Sequence, residues 1–217
     1  MPSTHQKQLE NLGESARKEL DIKHAAREQA YQLSRTTIRG AANTIRAIHR
    51  HELEQARTLL NGVAASVEET RHLLTYHPDL YHTGYVQDAQ KEYVEANATL
   101  AFVAGEPVPT QQQLTVELPP YLNGIAEAAS ELRRYILDAL RSNNSATCEP
   151  LMETMDEVYS LLVSLDFPEA ITGGLRRTTD ALRGVLERTR GDLTLALRQR
   201  SLEQQIAALE KSQSSQS

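Results

Sequence analysis

The segment YVQDAQKEYVEANATLAFVAGEP, residues 85–107, places Asp88, Glu92 and Glu95 at i, i+4, i+7 spacing. At 100° per residue these three carboxylates fall within about 60° of one another on one helix face. Like charges so placed repel by about 0.2–0.5 kcal/mol per i,i+4 pair, and Lys91 is the cation nearest in sequence to offset them. Beyond Lys91 the segment turns apolar or small, and a carboxylate buried there is costly unless it is paired, protonated or bound to a cation. A second pair, Glu127 and Glu131, follows at i,i+4 in PPYLNGIAEAASELRRYILDAL. Leu122, Ile125, Ala129, Leu132, Ile136 and Leu140 form the apolar arc of that helix, and both glutamates lie away from its centre. Periodicity assigns this second pair to a solvated face, with one exception: a wetted face that lines a cavity inside an oligomer.

Two helices that each carry two carboxylates can make an all-oxygen metal site. No histidine follows either pair by three residues, so the Glu-x-x-His signature of di-iron bundles is absent. Oxygen-only donors favour Mg2+, or Mn2+ in its place, over zinc or iron. The chemistry such a site does best is in-line attack of an activated water on a phosphodiester, with the metal stabilising the developing charge. Charge distribution agrees with an anionic centre between neutral but Arg-rich flanks, and equally with an acidic surface patch that keeps the protein soluble. Residues 73–131 carry one Lys against 8 acids, whereas residues 1–72 carry 11 Lys/Arg against 9 acids and residues 132–200 carry 10 against 10. A net charge of −6 argues against a uniformly basic nucleic-acid binder.

The elements that must position these acids read as helices throughout. Residues 5–33 and 34–73 form two long amphipathic helices, with Ile38, Ala42, Ile45, Ile48 and Leu53 at helical spacing. Pro78 breaks the pattern, and a third helix covers about 80–104 and stops at Gly105 and Pro107. A Gln/Pro connector spans 105–118, and its QQLTVELPP is the one β-like stretch. A fourth helix starts at the double proline and runs over about 119–142, a fifth over about 149–165 and a sixth over about 170–209. The expected architecture is an all-α antiparallel helical bundle of about six helices, one domain over 1–209, followed by a disordered polar tail at 210–217. No run is apolar enough to span a bilayer, the N-terminus lacks a secretory h-region, and the lone Cys148 rules out an intrachain disulfide. The cytoplasm is the expected compartment.

The blocks LSRTTIRGAANTIRAIHR (33–50), QKEYVEANATLAF (90–102), YLNGIAEAASELRR (121–134) and ITGGLRRTTDALRGVLERTRGDLTLAL (171–197) together resemble the translin family. The resemblance is strongest to its catalytic branch, typified by translin-associated factor X (Trax) in the RNase complex C3PO. It covers most of the chain in colinear order, and the EYVEA and YLNG blocks are its specific parts. It implies a seven-helix subunit of a hollow octamer, homomeric or shared with a translin-like paralogue, whose active sites face the chamber. It also implies a Mg2+-dependent endoribonuclease acting on single-stranded RNA, with Glu92, Glu95, Glu127 and Glu131 as catalytic and metal-binding residues. The position of Glu127 is commonly Asp in that family, so the carboxylate here stands one methylene further out. The non-catalytic paralogue lacks these acids; a single-stranded RNA- or DNA-binding protein without catalysis is the alternative. If Glu127 and Glu131 line a chamber, their wetted face and a catalytic role are compatible.

For RNA contact, Arg35, Arg39 and Arg46 align along one helix among His49, Arg50 and His51, and a basic stripe of this kind grips phosphates. Arg35 and Arg39 are the candidates, although i,i+4 pairing on an exposed helix accounts for any single one of them equally well. Tyr81, His82 and Tyr85 precede the acidic helix and could stack on unpaired bases, with packing at a helix start as the plainer role. His82 is the RNA-binding candidate among them. Asp88 matches no catalytic position, and Cys148 is assigned none.

Overall fold

The computed structural model describes residues 4–142 and 144–214, and helices make up almost all of it. In chain order they are α1 (Thr4–His49), α2 (Leu53–Leu73), α3 (Pro78–Tyr81), α4 (Gly84–Ala104), α5 (Gln111–Leu114), α6 (Leu118–Arg141), a 3-10 turn (Ser145–Thr147), α7 (Cys148–Val163), α8 (Glu169–Thr172) and α9 (Leu175–Ser214). No strand occurs among the described residues, and the β-like QQLTVELPP forms α5 and the entry to α6. Thr110 closes a capping box with Gln113, which outweighs the strand propensity of so short a run.

The expected break between the first two helices, at 33/34, is corrected by the structure. Helix α1 continues through Leu33 and Ser34 and ends at His49. Nothing in that stretch removes a backbone donor or demands a positive φ, so the helix propagates. The chain turns instead at His51, whose φ is 62°, with the Glu52 N–H donating to Ala47 O at 3.0 Å. Histidine is among the residues that tolerate the left-handed region, which is how this turn dispenses with glycine or proline. At the other end, α9 is helical through Ser214, so residues 210–214 of the expected tail belong to it, and 215–217 lie outside the described residues.

Helix α4 is the central staff. Val86, Ala89, Tyr93, Val94, Ala96, Ala98, Leu100 and Ala101 are buried around most of its circumference, as expected of a helix enclosed by neighbours. It lies against α1, α2 and α6, while α6 also packs on α7 and α9. The core runs on through Ile125, Leu132 and Ile136 of α6, Met155 of α7 and Leu182 of α9. The α4–α6 contact is close because a residue without a side chain sits in it. A Cβ at Gly124 would stand 2.7 Å from Lys91 O and 2.7 Å from Val94 Cβ. Real Cβ atoms essentially never approach so closely. Glycine in a helix interior costs roughly 0.5–1 kcal/mol relative to alanine, and here that cost lets the two backbones touch.

The seam is pinned where α6 begins. The buried Gln90 side chain accepts from Glu117 N–H at 2.9 Å and donates to Tyr81 Oη at 3.0 Å. Asn123 donates to Pro119 O at 2.9 Å and Thr172 O at 3.0 Å, and accepts from Thr178 Oγ1 at 2.6 Å. It thereby ties the α8–α9 corner to α6. Gly173 and Gly174 make that corner with φ of 60° and 83°. By contrast, Leu9, Leu12, Leu20 and Ile22 of α1 and Leu195, Leu202, Ile206 and Leu209 of α9 are exposed. No helix among the described residues is long and apolar enough to cross a membrane.

Candidate metal centre on the helix seam

Because Gly124 brings α4 and α6 into contact, acids 32–35 residues apart in sequence meet side by side. Glu92 and Glu95 of α4 and Glu127 of α6 each offer an oxygen within 4.8 Å of the others. Glu95 is buried, and Glu92 and Glu127 are partly so. Three converging carboxylates repel one another, and the two on α4 reflect it. Burial pushes the Glu95 carboxyl up to about 8, with further upward pressure from Glu92, Glu127 and Glu131. Glu92 is also raised, chiefly by burial, with Lys91 opposing and Glu127 and Asp88 reinforcing.

Glu131 lies outside the set of three, one turn further along α6. Its Oε2 is 2.6 Å from His49 Nε2 of α1, a side chain only 3% exposed. A carboxylate can only accept, so Nε2 is the donor, and Nδ1 is buried with no partner among the described residues. His49 thus fixes Glu131 at the border of the cluster. Sequence reading places His49 in a basic stripe; its inward direction follows from where α1 ends, which no local pattern reveals.

Lys91 is the centre's internal counter-ion. Its ammonium donates to both Glu127 oxygens, at 2.7 and 2.8 Å, and lies 3.4 Å from Glu92. Burial draws the lysine pKa down, but the hydrogen bond to Glu127 and the charges of Glu127 and Glu92 outweigh it, and the net shift is upward. One monovalent cation against this many carboxylates leaves the site electronegative. The donor set is all oxygen and spans the reach of one ion, so it fits a hard divalent cation such as Mg2+ or Mn2+. Asp88 is exposed one turn before Glu92 and acts on it through space only.

The remaining candidates do not join the centre. Arg35 and Arg39 are exposed on α1. His82 caps α3 and stacks edge-to-face on Tyr81 at 5.5 Å. Cys148 is a buried free thiol at the first residue of α7. Beside the acids, between α4, α6 and the start of α9, runs a groove of about 470 Å³. Lys91, Glu127, Asn123 and Arg177 are among its walls. Arg177 enters the groove just after the Gly173–Gly174 corner, in a segment that the sequence marks only as a charge-rich helix.

No family model matches the chain. An uncharacterized protein of Methanocaldococcus jannaschii is 29% identical over 186 residues, covering 85% of this chain and 82% of that protein. Among solved structures, AfC3PO in complex with duplex RNA superposes with a TM-score of 0.80 at 31% identity, covering 86% of this chain and 97% of that one. A crystal structure of AfC3PO gives 0.79 at 30% identity with the same coverage. Apo-NeC3PO gives 0.71 at 19% identity over 90% of this chain and 98% of that one, a likeness of fold. With near-complete coverage and identity at this level to AfC3PO, the chain belongs to the C3PO/translin family.

Proposed function

We propose that this protein is a Mg2+-dependent endoribonuclease of the catalytic, Trax-like branch, acting on single-stranded RNA in the cytoplasm. The observation that carries this reading is the convergence of Glu92, Glu95 and Glu127 within 4.8 Å across the α4–α6 seam, in a chain similar to AfC3PO. AfC3PO has been seen with duplex RNA, which supports RNA as the substrate class.

Glu92, Glu95 and Glu127 would hold Mg2+, or Mn2+, which supplies positive charge for a phosphodiester and its attacking water. The other steps belong to the chain. Glu95 keeps a proton near neutral pH and gives it up as the cation settles. Glu131, held through Oε2 by His49 one turn beyond Glu127, keeps a second oxygen that would take a proton from the attacking water. Burial on the α4 side excludes bulk water from Glu95 and strengthens every charge interaction there. The exposed leucines of α1 and α9 support self-association, and we assign the oligomer as an octamer enclosing a chamber onto which the centre opens.

The test is cleavage of a labelled single-stranded RNA by wild type, Glu92→Ala and Glu127→Ala, with Mg2+ and with EDTA. Cleavage by wild type with Mg2+, its loss in EDTA, and a drop beyond about 100-fold in both variants are expected. RNA binding that survives in all proteins with no cleavage in any condition would replace this reading with a non-catalytic binding protein.

A further inference from the structure

Lys91 belongs to two places at once. Its ammonium occupies the carboxylate cluster, on Glu127 and near Glu92, and its side chain also walls the adjoining groove. Across that groove stands Arg177, exposed and without an ion-pair partner among the described residues. Gln87, Asn123 and Thr178 add polar groups to a lining that also holds Pro119, Pro120 and the glycine corner. The charged groups facing the groove are Lys91 and Arg177 against Asp88 and Glu127, a balance near zero while Lys91 neutralises Glu127.

A divalent ion on Glu92, Glu95 and Glu127 changes that balance. It competes with Lys91 for the same Glu127 oxygens, and two cations cannot share them without repulsion. Lys91 is half-buried on a four-carbon stem, so the ammonium can leave Glu127 without moving α4. The groove is the space open to it. We propose that this groove is the subsite for the backbone phosphate flanking the scissile bond, gripped by Lys91 and Arg177. Lys91 transfers from Glu127 to that phosphate when the metal arrives. Metal binding and RNA binding are thereby coupled: the metal-free centre keeps its own lysine, and the filled centre lends it to the substrate. This rests on the metal-dependent reading above.

The experiment uses the full chain as wild type, Lys91→Met and Arg177→Gln. Mn2+ affinity is measured without nucleic acid. Affinity for a short labelled single-stranded DNA, which carries the same phosphates, is measured over a salt series with Mn2+ and with EDTA. Lys91→Met is expected to bind Mn2+ more tightly than wild type, because the internal competitor is gone. The same variant loses DNA affinity in Mn2+ with a salt slope shallower by about 0.7, one phosphate contact, and loses little in EDTA. Arg177→Gln is expected to lose a similar slope in both conditions with Mn2+ affinity unchanged. Mn2+ affinity unchanged or weaker in Lys91→Met overturns the exchange. Salt slopes unchanged in both variants overturn the subsite while leaving the metal centre intact. Failure of wild type to take up Mn2+ overturns the metal reading itself, and the exchange with it.

Discussion

Replacing Glu95 by Gln should make the metal-free protein more stable at alkaline pH, although it removes a carboxylate from the candidate centre. Gln keeps the volume and a hydrogen-bonding head but cannot ionise. In the folded wild type the Glu95 carboxyl titrates at about 8, against about 4.5 when exposed. Between those values the folded chain holds a proton that the unfolded chain has released, so folding stability falls as pH rises. The contribution is complete below pH ~4.5 and is lost progressively up to about 8, at ~1.4 kcal/mol per unit. That amounts to about 2 kcal/mol by pH ~6 and approaches about 5 kcal/mol above pH ~8. Urea unfolding in EDTA, from about pH 5 to about pH 9, reads the difference between wild type and Glu95→Gln, so that other titrating groups cancel. The variant should gain on wild type up to about pH 8 and level off above it. Mn2+ at 100 times its Kd should reverse the order near pH ~6 and only narrow the gap above pH ~8, since such a ligand stabilises its holder by about 2.7 kcal/mol and a neutral amide is a poor ligand for the ion. Parallel stability curves for the two proteins would refute the claim that the seam forces a proton onto Glu95.

The same linkage predicts that Mn2+ affinity of the wild type rises with pH and levels off above about 8, with proton release measurable by calorimetry in buffers of different ionisation enthalpy. Gly124→Ala must push α4 and α6 apart by at least about 0.7 Å to bring its Cβ to ordinary contact; a loss of about 1–3 kcal/mol in urea unfolding is expected, with weaker Mn2+ binding. His49→Ala frees Glu131 at the cluster edge and should lower cleavage about 10–100-fold while Mn2+ affinity changes less, and His49→Gln, which can still donate, should recover part of the rate. Asn123→Ala removes the hydrogen bonds that join α6 to Thr172 and Thr178 at the α8–α9 corner and should cost about 1–3 kcal/mol, read by thermal unfolding.

The four acids are legible in the sequence because their spacing within each helix is local, and the helical class follows from uninterrupted 3.6-residue periodicity. The convergence of Glu92, Glu95 and Glu127 is not legible from spacing, because it depends on the register of α4 against α6, set by Gly124 and held near the start of α6 by Gln90 and Asn123. The glycine in YLNG is visible, yet a helix-interior glycine states only that something comes close. The wheel of α6 places Glu127 and Glu131 off the apolar arc, and both are partly exposed there in the structure. The turn at His51 leaves no mark in the sequence, since neither glycine nor proline makes it. Sequence neighbours suggest Lys91 as relief for the acids of its own helix, whereas its main partner, Glu127, lies 36 residues away.

The contact at Gly124 also bears on which ion the centre admits. Its carboxylates stand on two helix backbones already pressed together, rather than on a loop that could open. Ca2+ prefers six to eight oxygens at about 2.3–2.6 Å in a yielding cage, whereas Mg2+ accepts a few carboxylates at about 2.0–2.1 Å and keeps its waters. Two helices packed this closely suit the smaller ion better than the larger one. Under the metal-dependent reading proposed above, discrimination between ions is a property of helix packing, written into a residue that has no side chain.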